Sequence, residues 1–175
     1  MSITGNPFTL TRVSDSAAVG VDVTAVSADG MSVLLTFNNT NAAVIDQVST
    51  QNGGAESLAD GVYRLGIDDA GVTGLNGQAL DGDANATAGG DYLSPLDTAG
   101  SGTGYIYGLY RLFGDSTGNG VVDLTDLADF RSTYNLSGPS SLDPRFKDFF
   151  DADNNNTVDD ADLDEFRDRF NVSLF

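Results

Sequence analysis

The chain has no cysteine and no histidine. Without thiols there are no disulfides. Without thiolate or imidazole, the softer metal centres and histidine-dependent catalytic triads are excluded. Glutamate is nearly missing too: of 26 acidic residues only Glu56 and Glu165 are glutamate, and the other 24 are aspartate. Glutamate is the better helix former, so acids serving only to solubilise helices would favour it. Aspartate is short and suits turns, caps and tight cation coordination. An apolar run of roughly 18 residues, the length of a membrane span, is also lacking. The opening Met1-Ser2-Ile3-Thr4-Gly5 lacks the charged start and apolar core of a secretory signal.

What is present is charge of one sign. The 175 residues carry a net charge of −18, divided evenly as −9 over residues 1–114 and −9 over residues 115–175. Such a surface repels phosphate backbones and anionic lipid. Neither nucleic acid nor membrane insertion is therefore expected, and the chain is expected to be a monomer.

Residues 1–112 read as β. Short alternating runs occur at Phe8–Val13, Val21–Val26, Ser32–Phe37, Ala43–Val48, Val62–Ile67 and Tyr105–Phe113. The Asp29-Gly30 pair between the second and third marks a tight hairpin. Regular short strands of this kind predict a β-sandwich. From Gly71 to Gly104 the chain is rich in Gly, Ala, Asp and Thr. It reads as a long ordered loop with one short strand near Val72–Leu75.

Residues 113–175 read as helical. Leu127, Phe130 and Tyr134 form one apolar stripe, and Leu163, Phe166 and Phe170 form another. Asp143-Pro144 reads as a cap and first-turn proline opening a short helix through Phe149. A shift of 36 residues superimposes the two parts. It aligns Phe113 with Phe149, Asp115 with Asp151, Asn119 with Asn155, Val122 with Val158 and Asp126 with Asp162. It also aligns Phe130 with Phe166 and Arg131 with Arg167. Both arginines read as the solvated face of a helix.

Each repeat opens with a loop that fits a twelve-residue calcium site. Such loops supply oxygens at positions 1, 3 and 5, a peptide carbonyl at 7, and further ligands at 9 and 12. Loop one gives Asp115, Thr117, Asn119, the Val121 carbonyl, Asp123 and Asp126. Loop two gives Asp151, Asp153, Asn155, the Thr157 carbonyl, Asp159 and Asp162. Position 6 must adopt a positive φ, which Gly120 does freely and Asn156 tolerates. Val122 and Val158 at position 8 are expected in the core. Thr117 leaves loop one with three carboxylates against four in loop two, so the second site is expected to bind more tightly. Two calcium ions are the expected cofactor. Magnesium is disfavoured by its strict octahedron. Calcium affinities in the sensor or extracellular range point outside the cell. Met1 is therefore expected to have been added to a fragment of a larger exported protein.

The stretch Gly114-Asp115-Ser116-Thr117-Gly118-Asn119-Gly120-Val121-Val122-Asp123-Leu124-Thr125-Asp126 resembles a dockerin type I repeat, and so does Asp151 to Asp162. The resemblance covers about residues 113–173. It implies a dockerin type I-like domain over 113–175, attached in a calcium-dependent way to a cohesin-like partner. At loop positions 10 and 11, Leu124-Thr125 and Asp160-Ala161 match neither the Ser-Thr pair of cellulosomal members nor each other. That argues against a symmetric dual binding mode. The segments Leu80-Asp81-Gly82-Asp83, Gly89-Gly90-Asp91-Tyr92 and Tyr110-Arg111-Leu112-Phe113 resemble the ending of bacterial Ig-like modules that precede such repeats. The fold expected is thus an Ig-like β-sandwich over 1–112, followed by an all-α dockerin-like pair of loop–helix (half EF-hand) repeats. No linker separates the two, so a rigid junction is expected. The alternative function is structural, with the calcium-folded repeat packing on its own β region.

Three further groups are weighed. Asp81, Asp83, Asn85 and Asp91 begin like a calcium loop, but Tyr92 stands at position 12. They read either as a third site or as an Asx-rich turn. Tyr105, Tyr107 and Tyr110 offer a sugar-binding surface, while the alternating spacing of Tyr105 and Tyr107 reads as the cover of one sheet face. Paired aspartates can cleave glycosides, but the acids are accounted for by calcium, and no enzyme activity is expected.

Overall fold

The computed structural model describes residues 1–38, 40–53, 56–96, 109–140 and 142–175. In chain order the strands are β1 (Ser2–Ile3), β2 (Phe8–Arg12), β3 (Ala18–Val26), β4 (Val33–Asn38), β5 (Gly61–Ile67), β6 (Val72–Thr73), β7 (Tyr92–Leu93) and β8 (Leu109–Arg111). Helices α1 (Leu124–Thr133) and α2 (Asp160–Arg169) follow.

One antiparallel sheet dominates, in the order β4-β3-β2-β5-β7, with β8 also paired to β5. In β2, Phe8 and Leu10 are buried and Thr9 is exposed; in β3, Val19 and Val21 are buried. This is the period-two pattern of a strand with one covered face. The β3–β4 hairpin turns at Ala28-Asp29-Gly30 as expected. Asp29 accepts a hydrogen bond from the Met31 N–H (3.0 Å) and Gly30 takes a φ of +67°. The far edge of β5 is shared, with β7 on Gly66 and Ile67 and β8 on Gly61 to Tyr63. A two-stranded ribbon of β1 and β6 stands apart.

The expected fold class is wrong on both counts. Among the described residues the protein is mostly sheet with two short helices, not a sandwich followed by an all-α pair. A sandwich needs a second large sheet, and Ala43–Val48 does not supply a strand to it. The Asn41 side chain accepts from the Ala43 N–H (3.2 Å) and Asp46 from the Val48 N–H (3.0 Å), closing local turns that compete with a ladder. A single bridge, Ile45 to Leu58, remains there. Val44, Ile45 and Leu58 instead cover the inner face of the sheet and join its core with Phe8, Leu10 and Tyr63.

In the C-terminal region each helix has ten residues. The preceding loop consumes much of each repeat, and an asparagine at positive φ (Asn135, +62°; Asn171, +65°) follows each helix. The helix expected from Asp143 to Phe149 is only a 3-10 turn over Asp148–Phe150. The Asp143 carboxylate is engaged by the N–H and guanidinium of Arg145, a local turn rather than a helix cap. The strand read from Tyr105 is described only as Leu109–Arg111, and Tyr105 and Tyr107 lie outside the described residues.

The C-terminal region has its own core, made chiefly of Phe130, Phe146, Phe150, Phe166, Val122 and Val158. It meets the sheet without a linker. Asp60, just before β5, accepts from Arg111 (2.6 Å), from the Phe113 N–H (2.8 Å) and from Arg169 at the end of α2 (2.5 Å). The Arg111 and Arg169 guanidinium groups both lie over the Phe113 ring, 5.8 and 5.4 Å from its centroid. Arg111 reaches a second carboxylate, Asp46, at 2.5 Å. Val48 packs against the C-terminal core, and the Asn52 side chain donates to the Asp153 carbonyl at 2.9 Å.

Candidate metal centre

The two loops are built alike. In each, the helix N-cap carboxylate (Asp123, Asp159) accepts from the helix's first turn, while the residue at position 12 reaches back to the N-cap N–H. Both position-12 carboxylates, Asp126 and Asp162, are fully buried. Asp126 ties the two ends of its loop, accepting from the Ser116 N–H (2.9 Å), the Thr117 N–H (3.1 Å) and the Asp123 N–H (2.8 Å). Asp162 does the same with Ala152 (2.6 Å) and Asp159 (2.8 Å). Buried carboxylates need such donors.

Position 1 organises the middle of each loop. Asp115 accepts from the N–H groups of Gly118 (2.8 Å), Asn119 (3.2 Å) and Gly120 (2.8 Å), and from the Tyr110 hydroxyl (2.8 Å). Asp151 accepts from Asn155 (3.0 Å) and Asn156 (2.8 Å). Position 5 accepts from position 7 in both: Asn119 from Val121 (2.9 Å) and Asn155 from Thr157 (2.8 Å). Gly120 at +79° and Asn156 at +65° make the sharp turn at position 6. Val122 and Val158 are fully buried. The twelve residues read as ligands thus fall in matched loop positions.

The loops differ in how their acids gather. Among the described residues, Asp151, Asp153 and Asp162 bring carboxylate oxygens within 4.8 Å of one another, and loop one has no such triad. Burial, then the charges of Asp151 and Asp153, push the Asp162 carboxyl up to about 6 against the pull of its N–H donors. Burial likewise raises Asp151. Crowded acids that resist ionisation are what a cation would relieve. The donors are carboxylate, carboxamide, hydroxyl and peptide oxygens, the set suited to a hard cation such as calcium.

The repeats also exchange their tails. Val122 of loop one pairs with the segment after α2, through Val122 N to Val172 O (3.1 Å) and Asn171 N to Val122 O (2.8 Å). Val158 of loop two pairs with the segment after α1, through Val158 N to Leu136 O (3.0 Å) and Asn135 N to Val158 O (2.7 Å).

Asp81, Asp83 and Asn85 form the same turn as the start of loop two. The N–H groups of Asn85 and Ala86 donate to Asp81 (3.0 and 2.9 Å), and that of Thr87 to Asn85 (2.8 Å). Asp91 does not close this turn. It accepts from the Asp69 N–H (3.1 Å) and lies with Asp68 and Asp69 in a group that has no buried member.

An apolar groove of about 410 Å³ runs between α1 and α2, lined by Leu127, Phe130, Tyr134, Leu163, Phe166 and Phe170, with Arg131 and Arg167 at its rim. Spacing alone missed Tyr110, Asp60 and Asn52. For Tyr110 a signal existed: the repeat shift pairs it with Phe146 and leaves the hydroxyl as the difference. Asp60 and Asn52 act across long stretches of chain and carry no local mark. No helix among the described residues is long and apolar enough to cross a membrane. Comparisons with protein-family models, curated proteins and solved structures returned no match.

Proposed function

We propose that this chain is a calcium-binding, non-catalytic module of a larger exported bacterial protein, working outside the cell or at its surface. Its two dockerin-like loops each take one calcium ion and so order the α1–α2 face for attachment to a separate, cohesin-like protein domain. The observation that carries the reading is the matched pair of loops, with three carboxylates of loop two converging within 4.8 Å. Loop one would hold its ion with Asp115, Thr117, Asn119, the Val121 carbonyl, Asp123 and Asp126. Loop two would use Asp151, Asp153, Asn155, the Thr157 carbonyl, Asp159 and Asp162. Calcium supplies the positive charge that these acids need to stay together while ionised. The open groove between the helices, rimmed by Arg131 and Arg167, supports attachment to something outside the chain.

A second reading, a structural closing module packed on its own β region, is favoured by the Asp60 contacts to Arg111, Phe113 and Arg169. Calorimetry with calcium, followed by titration with purified cohesin domains in calcium and in chelator, separates them. Two bound ions and calcium-dependent cohesin binding are expected. Two ions with no cohesin binding would leave the structural reading, and no calcium uptake would sink both.

A further inference from the structure

Loop one is the poorer in charge, because Thr117 stands where loop two has Asp153. Among the described residues its position-1 carboxylate has a donor from outside the loop, which Asp151 of loop two lacks. The Tyr110 hydroxyl lies 2.8 Å from Oδ2 of Asp115. Tyr110 belongs to β8, outside the loop, and is held by the pairing of Val62 with Tyr110 on the sheet. Its counterpart in the second repeat, Phe146, is buried in the C-terminal core and has no hydroxyl.

We propose that Tyr110 is the positioning residue of loop one, fixing the rotation of the Asp115 carboxylate and thereby setting the calcium affinity of that loop from the sheet side. The inference rests on the calcium reading above. A carboxylate turns about its Cβ–Cγ bond, and most rotations misplace the ligand oxygen. Gly120 N–H and the Tyr110 hydroxyl both bind Oδ2, at 2.8 Å each, from different elements. Two donors from two directions define one orientation. The hydroxyl is neutral, so it orders Asp115 without cancelling the charge that a cation seeks. A phenol hydroxyl carries one proton, and its 2.8 Å contact with the acceptor-only Asp115 carboxylate makes it the donor. The ring is seated edge-on against Phe175 with centroids 5.9 Å apart, a contact that phenylalanine would keep.

The test is Tyr110→Phe in the full chain, titrated with calcium and followed by the backbone amide signals of Gly120 and Asn156, one at position 6 of each loop. Removing an outer-shell partner weakens metal binding by about 10–100-fold. The expected result is a Gly120 midpoint raised by about that factor, with the Asn156 midpoint unchanged and the melting temperature in chelator lowered by no more than about 5 °C. A Gly120 midpoint within about twofold of the unmodified chain overturns the inference while leaving the calcium reading intact. So does a joint fall of both affinities and of the metal-free melt, the mark of a merely structural role. An unmodified chain whose Gly120 signal ignores calcium overturns the calcium reading of loop one, and the inference with it.

Discussion

Asp153→Asn in loop two should make the protein more stable without calcium and less responsive to it. Asp153, Asp151 and Asp162 bring their oxygens within 4.8 Å. At that distance each ionised pair costs about 1 kcal/mol in water and about 3.5 kcal/mol at an effective dielectric of roughly 20. Two pairs involve Asp153, which is half-exposed, so the lower figure applies and the substitution should relieve about 2 kcal/mol. Asparagine keeps the acceptor that Asp153 offers to the Asn155 N–H (3.1 Å), so the turn itself survives. In a chain of this size that relief raises the melting temperature in chelator by about 4–8 °C. Calcium reverses the balance. If losing one carboxylate weakens the site about 100-fold, the stabilisation contributed by saturating calcium falls by about 2.7 kcal/mol. In millimolar calcium the variant should then melt slightly below the unmodified chain. The assay is scanning calorimetry of both proteins in chelator and in calcium. An equal calcium increment for both proteins would refute the reasoning and leave loop two as a solvated acidic turn.

Three other outcomes follow from the geometry. Asp162 titrates near 6 in the metal-free fold, above its unfolded value. Its contribution to metal-free stability is therefore fully present below about pH 4 and lost as pH rises through 6. Calcium must displace that proton, so calorimetric affinity for loop two should fall from pH 7 to pH 5. Asp60→Ala removes the shared acceptor of Arg111, Arg169 and the Phe113 N–H. It should cost about 2–3 kcal/mol and increase amide exchange at the start of loop one, read by hydrogen-exchange mass spectrometry. Gly120→Ala forces a Cβ into a φ of +79° and should cost about 1–2 kcal/mol, whereas Asn156→Gly at +65° should be nearly neutral, both by denaturant melts in chelator.

The candidate site was far more legible than the fold. Oxygen-bearing residues recurring at fixed spacing, with Gly120 and Asn156 at the turn and Val122 and Val158 at the core position, constrain a short loop from within. That information is local. The β region is different. The alternation in β2, β3 and β5 identified strands, but the same pattern in Ala43–Val48 was overridden by Asn41 and Asp46, whose side chains close turns. Whether such a run becomes a strand depends on a partner far away in sequence. The two helices after the loops lie where their stripes placed them, but the helix expected from Asp143 to Phe149 is only a 3-10 turn, and each stripe continued through Tyr134 or Phe170 after its helix had ended. The contacts of Asp60 and Asn52 join residues about fifty to a hundred positions apart, beyond the reach of any periodicity.

The exchange of tails between the repeats means that neither copy is complete by itself. Loop one is stitched to the chain after α2, and loop two to the chain after α1. Trimming the protein at residue 170 would therefore injure the first loop, about fifty residues away, and spare the second. On the proposed calcium reading, an ion that orders either loop would also order the strap belonging to the other repeat, lowering the ordering cost that the second ion must meet. The duplication thus links the two loops through one backbone weave, and on that reading calcium filling should be cooperative without any contact between the two sites.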